Sequence, residues 1–101
     1  MIDLTITKTP DLKLSKKGKS FKVLEVSGDE GAMMPPHLST KETVVIVQEG
    51  EAVLEIDNGI NYFTKNDVFI IPAATVHSLS IKNKFKANVI MEVDSEIEFV
   101  N

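Results

Sequence analysis

Residues 31–50 read GAMMPPHLSTKETVVIVQEG, and this stretch decides how the chain folds. It ends in a β-branched, apolar run at residues 43–47, and a second such run at residues 52–57 follows a Glu-Gly turn. The two runs predict a pair of strands joined by that turn. The single histidine of the stretch, His37, lies just upstream of the pair. We therefore predict a site that is held by a rigid β-sheet.

The rest of the chain also divides into short segments with the period of a strand. The dipeptide Asn58-Gly59 lies between two alternating runs and favours a type I′ hairpin turn. The paired prolines Pro35 and Pro36 cannot donate backbone hydrogen bonds, so they are expected at an edge or rim. The lysine-rich residues 8–22 show little apolar periodicity and predict a solvated connection. Further strands are predicted at residues 2–7, 21–26, 68–71, 76–82 and 85–93 and at the C-terminal end.

The many predicted strands and the lack of a convincing helix indicate an all-β protein, either a barrel or a double-sheet jelly roll. A chain of 101 residues fits one domain, residues 1–101. In its predicted strand, His77 shares a face with Leu79 and Ile81, so the second histidine points to the apolar side. Closure of a barrel would allow His37 and His77 to meet.

The composition excludes several classes of function. The net charge is −4 and all eleven basic residues are lysines. Nucleic-acid binding, which relies on a basic surface, is therefore not expected, and no guanidinium can clamp an anion. Without cysteine the chain has no disulfide, thiolate metal site or thiol nucleophile. No apolar run approaches the ~20 residues that span a bilayer, and the first residues lack the pattern of a signal peptide, so we expect a cytoplasmic protein without a membrane partner.

Two motifs give the chain a resemblance to the cupin superfamily of small jelly-roll barrels. In the first motif, Gly31 is followed by five residues and His37, and Gly50 closes the motif at the family's spacing. The second motif, residues 66–77, has the family's length and keeps its proline and its histidine. Asn66, Ala74 and Ile81 replace the two glycines and the asparagine of that motif. The resemblance implies a cupin-type jelly-roll β-barrel, also called a double-stranded β-helix.

Metal-binding cupins hold their ion with three histidines and a glutamate, and the resemblance carries only His37 and His77 over to this chain. The family's second histidine falls on Ser39 and its glutamate on Thr43, and hydroxyls are poor ligands while they stay protonated. Glu42 would supply a carboxylate only if a bulge turned it inward, because alternation points it away from Thr43. No cofactor is firmly implied, and a divalent transition metal would bind weakly.

Three functional hypotheses follow, and the sequence leaves open whether the protein is an enzyme. The first is a homodimeric cupin that binds a small molecule around His37, Ser39, Thr43 and His77 without a robust metal site. The alternative is a metal-dependent cupin enzyme of the dioxygenase or isomerase type with an atypical site. A remaining enzymatic possibility is metal-free acid-base catalysis by one histidine, since an imidazole titrates near neutrality. The third is a structural or regulatory module whose barrel is filled by Met33, Met34, Phe63 and Phe69.

Overall fold

The computed structural model describes residues 8–100, and every regular element in this part of the chain is a β-strand. No helix in the described part is long and apolar enough to cross a membrane. The strand predicted at residues 2–7 lies outside the described residues. The eight strands are β1 (Asp11–Lys17), β2 (Phe21–Gly28), β3 (Met33–Ser39), β4 (Thr43–Ile56), β5 (Gly59–Phe63), β6 (Val68–Ile71), β7 (His77–Glu92) and β8 (Ile97–Phe99).

All strand pairs are antiparallel, and two long strands, β4 and β7, run through both halves of the fold. In the first half, which we call sheet I, the order is β6, the start of β4, the end of β7, β2 and β1. In the second half, sheet II, the order is β5, the end of β4, the start of β7, β3 and β8. Two sheets joined by shared strands form the curled jelly roll, and the all-β prediction is confirmed.

The turn predicted at Glu49-Gly50 is wrong, because β4 continues through it as one bent strand. The pairing of β4 with β7 shifts register on both sides of Glu49 and Glu51, and Gly50 takes a left-handed φ of 82°. A Cβ atom at Gly50 would overlap the backbone carbonyl of Lys84 on β7. The bulge therefore bends the strand from sheet I to sheet II, since an extra residue increases local twist without reversing the chain. The strands predicted at 76–82 and 85–93 are fused in β7 in the same way.

The second predicted hairpin is confirmed with a shift of one residue. Ile56 pairs with Gly59, and the two residues between them, Asp57 and Asn58, have φ of 52° and 59°. Two consecutive left-handed residues form a type I′ loop, whose twist matches that of the flanking strands. Asp and Asn supply both conformations, so Gly59 becomes the first residue of β5 instead of part of the turn.

One further expectation needs correction. Residues 8–22 are predicted as a solvated connection, yet Asp11–Lys17 forms β1 and pairs with β2. The strand lies at the edge of sheet I and all seven residues are exposed, which explains its lysine-rich composition.

The prolines Pro35 and Pro36 lie at the position where the pairing of β3 with β7 shifts between Met34 and His37, and β8 pairs with β3 only from His37 to Ser39. Both prolines are exposed, in agreement with the expected edge or rim. Residues without amide hydrogens are tolerated at such a position.

The core lies between the inward faces of the two sheets. Odd-numbered residues of β4 face inward in sheet I, and even-numbered residues face inward in sheet II, because the bulge at Gly50 changes the parity. Apart from Met91, the buried hydrophobic side chains of the described residues form one cluster: Val26, Ala32, Met34, Val45, Val47, Ala52, Leu54, Ile56, Phe63, Ile71, Leu79, Ile81, Phe85 and Ala87.

Candidate functional site

His37 and His77 are neighbours across the pairing of β3 with β7. Their ring centroids are 4.2 Å apart with an interplanar angle of 62°, and each residue is 5% exposed. Direct pairing of two strands within sheet II therefore brings together two residues that are forty positions apart in the sequence. Phe99 of β8 lies on the other side of His37, with ring centroids 5.5 Å apart.

Each imidazole makes a backbone hydrogen bond at Nδ1. Nδ1 of His37 lies 2.6 Å from the carbonyl oxygen of Pro35, and Nδ1 of His77 lies 2.9 Å from that of Thr75. A carbonyl oxygen can only accept, so these contacts assign the proton of each neutral ring to Nδ1. The Nε2 atom of each ring then carries a lone pair. The two rings thus present two nitrogen atoms that can accept hydrogen bonds. The same two lone pairs could instead bind a metal ion.

Both imidazoles favour the neutral form. Burial lowers the pKa of His37 below its ordinary value of 6.5, against a smaller upward effect of the Pro35 carbonyl, and the neighbouring His77 lowers it further. Burial is also the main cause that lowers the pKa of His77, and the Thr75 carbonyl opposes it. Removing a ring from water disfavours its charged form. The pair is therefore neutral at pH 7.

The histidines line a small interior cavity with a volume of about 60 Å³. One water needs roughly 10–15 Å³ of such volume, so the cavity holds a few waters or a group of a few heavy atoms. Among the described residues the polar side chains of its wall are His37, Ser39, Thr43 and His77, and no lysine or carboxylate lines it. The rest of the wall is apolar, contributed by Leu12, Val26, Met34, Val45, Leu54, Phe63, Ile71, Leu79, Phe85, Ala87, Val89, Met91 and Ile97.

The structure brings four of the five candidate residues together and separates the fifth. Ser39 and Thr43 are 4% and 2% exposed and line the cavity with the histidines. The Thr43 hydroxyl donates to the carbonyl of Lys41 at 3.4 Å, a long hydrogen bond. Glu42 is exposed and does not line the cavity, because it alternates with Thr43 at the start of β4.

These donors do not fit a resident metal ion. A transition-metal site needs three or more strong protein ligands, and the cavity offers two imidazoles and two protonated alcohols. Within residues 8–100 there is no group of three or more histidine, aspartate or glutamate side chains that could hold an ion.

Sequence reasoning missed an open groove at the end of sheet II, beside the turn between β4 and β5. The groove has a volume of about 620 Å³, and its polar residues include Glu55, Asp57, Asn58 and Ser78. His77 lines this groove as well as the interior cavity, so it forms the wall between the two spaces. No local sequence pattern indicates the groove, because its lining comes from β3, the turn between β4 and β5, and the start of β7, which are distant in the sequence.

Comparisons with known proteins identify the architecture. No family profile matches the chain, and no curated protein sequence matches it either. A solved cupin superfamily protein from Desulfitobacterium hafniense is 20% identical, with 89% of this chain and 83% of that chain covered and a TM-score of 0.77. A protein from Klebsiella pneumoniae with a double-stranded β-helix domain is 16% identical over 92% of this chain and 85% of its own, with a TM-score of 0.81.

A salicylate 1,2-dioxygenase from Pseudoaminobacter salicylatoxidans, solved in complex with gentisate, is 15% identical with a TM-score of 0.72. The match covers 79% of this chain but only 24% of the dioxygenase. At these identities the likeness concerns the fold. The chain has the cupin fold, as the two sequence motifs implied.

Proposed function

We propose that this cupin-fold protein binds a small, uncharged hydrogen-bond donor in its barrel, at the paired imidazoles of His37 and His77. The observation that carries the proposal is the pair of Nδ1 contacts to the carbonyls of Pro35 and Thr75. They leave the Nε2 atom of each ring as its acceptor, and both histidines line a cavity whose remaining wall is almost entirely apolar. A ligand hydroxyl or amide N–H satisfies these acceptors, and its carbon atoms contact the apolar wall.

The size and charge of the cavity narrow the ligand class. A volume of about 60 Å³ accepts a fragment of a few heavy atoms, well below the roughly 300 Å³ of the smaller drug-sized sites. No cationic side chain lines the cavity in the described part of the chain, so an anion would be buried without a counter-charge. A short alcohol or amide, or such a group at the end of a larger molecule, meets both conditions.

The test is a titration with ethanol and acetamide, followed by the ¹⁵N chemical shifts of the imidazole rings at pH 7.5. We expect the Nε2 resonances of both histidines to shift in a saturable way. His77→Leu removes one acceptor and is expected to abolish saturation, whereas Ser78→Ala on the opposite face of β7 leaves it unchanged. Linear, non-saturating shifts with both probes would overturn the proposal.

A metal-dependent enzyme is the second candidate, and one observation favours it. Histidines that ligate metals donate their other ring N–H to a carbonyl or carboxylate, and both rings show such a contact. The incomplete donor set opposes this candidate. Elemental analysis of protein that is purified without chelator or a polyhistidine tag discriminates the two, followed by Zn²⁺ and Mn²⁺ titration of wild type and His77→Ala. Near-stoichiometric metal that is lost on substitution would favour the enzyme.

The same titration tests how the motif residues align with the family pattern. Ser39→His combined with Thr43→Glu restores the missing ligands and is expected to raise metal affinity by a hundredfold or more, on the order of the effect of adding strong ligands to an incomplete site. Unchanged affinity would show that these two positions do not correspond to the family's ligand positions. A cytoplasmic location and a homodimer are part of the proposal as expectations from sequence.

A further inference from the structure

The groove at the end of sheet II is large enough to hold a whole small molecule. Its volume of about 620 Å³ lies within the roughly 300–1,000 Å³ of small-molecule sites, whereas the interior cavity has about 60 Å³. Three parts of the fold line it: Pro36 of β3, residues 55–60 around the turn between β4 and β5, and residues 76–78 at the start of β7. Among the described residues it shares only His77 with the cavity, so it is a second space with its own lining.

The charges that line the groove are negative. Glu55 and Asp57 are exposed carboxylates of its lining, and no lysine lines it in the described part of the chain. The imidazole of His77 adds no positive charge, because burial lowers its pKa below the ordinary value. The ion pairs of residues 8–100 all lie elsewhere, and neither Glu55 nor Asp57 takes part in one. The groove therefore attracts a cation from solution.

Strand register places a carboxylate and a hydroxyl side by side in this groove. Glu55 of β4 is paired with Ser78 of β7 on one side and with Ile60 of β5 on the other, and all three line the groove. Directly opposite residues on one face of a sheet have Cβ atoms about 4.5–5.5 Å apart. One cation can therefore contact the Glu55 carboxylate and the Ser78 hydroxyl together, with an apolar residue beside them.

The Ser78 hydroxyl is an unused hydrogen-bonding group. Ser78 is only 9% exposed, yet its hydroxyl makes no hydrogen bond within residues 8–100. Every fully enclosed side-chain nitrogen or oxygen in this part of the chain has a partner, so the hydroxyl is not fully enclosed and a group in the groove can reach it. Buried polar groups are normally hydrogen-bonded. An unused hydroxyl next to a carboxylate without a counter-charge indicates a ligand with charged N–H donors.

We propose that the groove is a second binding site, which holds the ammonium group of a small organic amine. The ammonium donates to the Glu55 carboxylate and to the Ser78 hydroxyl, and Asp57 adds negative charge at the turn. The carbon chain of the amine contacts Ile60 and Val76, which are 57% and 43% exposed and line the groove. These two apolar residues favour an organic cation over a hydrated metal ion, whose ligands are oxygen atoms.

The test is an NMR titration of the ¹⁵N-labelled full chain with n-butylamine at pH 7.5, where the amine is protonated. The backbone amides of residues 57–59 report on the groove. We expect saturable shifts with a dissociation constant of about 1–10 mM, which sodium chloride raises because salt screens an exposed ion pair. 1-Butanol has the same carbon chain without the charge, and its dissociation constant at these amides is expected to be at least about tenfold higher.

Two variants remove one contact each. Glu55→Gln removes the charge and Ser78→Ala the hydroxyl, and the dissociation constant of butylamine is expected to rise about fivefold or more in the first and about threefold in the second. The matched control is Glu49→Gln, because Glu49 is an exposed residue of the same strand outside the groove and its substitution changes the net charge equally. Its dissociation constant is expected within about twofold of the wild-type value.

Folding of each variant is checked by its thermal midpoint. Asp57→Asn decides the test if Glu55→Gln fails to fold, because asparagine tolerates the left-handed φ of 52° at this position; the dissociation constant is expected to rise about threefold. Equal affinity for butylamine and 1-butanol would overturn the proposal, and so would the same loss in Glu49→Gln as in Glu55→Gln. Saturation of the same amides by Mg²⁺ at lower concentrations than by butylamine would assign the groove to a metal ion and also overturn it.

The groove site and the cavity site are tested by separate measurements. Ethanol and acetamide binding is followed at the imidazoles of His37 and His77, and butylamine binding at the backbone amides of residues 57–59. Ser78→Ala is expected to weaken butylamine binding and to leave the ethanol titration unchanged. Weakening of both would contradict a groove site that is distinct from the cavity.

Discussion

The two sheets of this barrel share strands β4 and β7 but differ in chemistry. Sheet II carries His37 and His77 on its inner side and borders the groove at its end. Sheet I is nearly all apolar on its inner side, and its outer side carries a row of apolar residues, Ile70, Val44, Ile90 and Val23. Two sheets with the same architecture therefore differ in where they place polar side chains, because the inner side of sheet II contains the imidazole pair and that of sheet I contains mostly aliphatic residues.

The joint between the sheets is expected to be the most sensitive point. Gly50→Ala places a Cβ atom onto the Lys84 carbonyl and forces a non-glycine residue to a left-handed φ, so we expect a loss of about 3–5 kcal/mol in unfolding free energy. The control is Gly31→Ala, where φ is 92° but no atom lies within 4 Å of the added Cβ; about 1–2 kcal/mol is expected there. Urea unfolding measures both, and equal losses would contradict the role of close packing at Gly50.

The two histidines of sheet II are expected to make the protein less stable at acid pH. Both histidines have a pKa below 6.5 in the folded protein, so the unfolded chain binds protons more readily at acid pH. The contribution of the two histidines to the free energy of unfolding is therefore fully present above about pH 6.5. It falls as the pH decreases towards the folded pKa values, and it levels off below them. The slope reaches at most about 1.4 kcal/mol per pH unit for each histidine.

Single histidine variants show how much each histidine contributes to the pH dependence of the free energy of unfolding. In His37→Gln and in His77→Gln, the decrease in the free energy of unfolding between pH 7.5 and pH 5 is expected to contain only the contribution of the remaining histidine. Urea denaturation at each pH gives the comparison. If the slope between these pH values were the same in either variant as in the wild type, other groups would cause the acid sensitivity.

Valine-to-threonine changes along β4 compare the inner and outer sides directly. Val47→Thr buries a hydroxyl in the core of sheet I and is expected to cost about 1–3 kcal/mol. Val53→Thr on the outer side of sheet II is expected within about 0.5 kcal/mol of wild type. Val44→Thr, on the outer side of sheet I, is likewise expected within about 0.5 kcal/mol of wild type. Urea unfolding measures all three variants, and equal losses at Val47 and Val53 would contradict the assignment of these residues to the inner and outer sides.

The smallest effects are expected from the two alcohols of the cavity. Thr43→Val and Ser39→Ala remove hydroxyls. Within residues 8–100 these two hydroxyls make one hydrogen bond, from Thr43 to the Lys41 carbonyl, and it is 3.4 Å long. Removing a polar group that lacks a strong partner changes stability by less than about 1 kcal/mol. Thermal unfolding of both variants checks this. A loss of several kcal/mol would show that the hydroxyls hold a structural water network.

The sequence by itself determined the all-β class, the strand periods and the presence of two histidine motifs, because alternation and turn residues act over a few neighbouring positions. It also separated Glu42 from Thr43 by parity alone. It did not determine whether Gly50 reverses a strand or bends it, because the same left-handed residue serves a hairpin turn and a bulge. It also placed the type I′ loop one residue too late, because Asp57 and Asn58 take the left-handed conformations that the pattern assigned to Asn58 and Gly59.

Only the tertiary structure decided how the site is assembled. The register of β3 against β7 sets the two imidazoles 4.2 Å apart, and the main-chain carbonyls of Pro35 and Thr75 orient them. Strand register and the positions of main-chain carbonyls do not depend on side-chain type alone, so a sequence motif does not specify them. The outward row of Ile70, Val44, Ile90 and Val23 likewise exists only because register aligns residues from β6, β4, β7 and β2, whose separate sequences look like ordinary strands. Contacts between distant segments depend on the shape of the whole sheet, and local sequence patterns do not encode that shape.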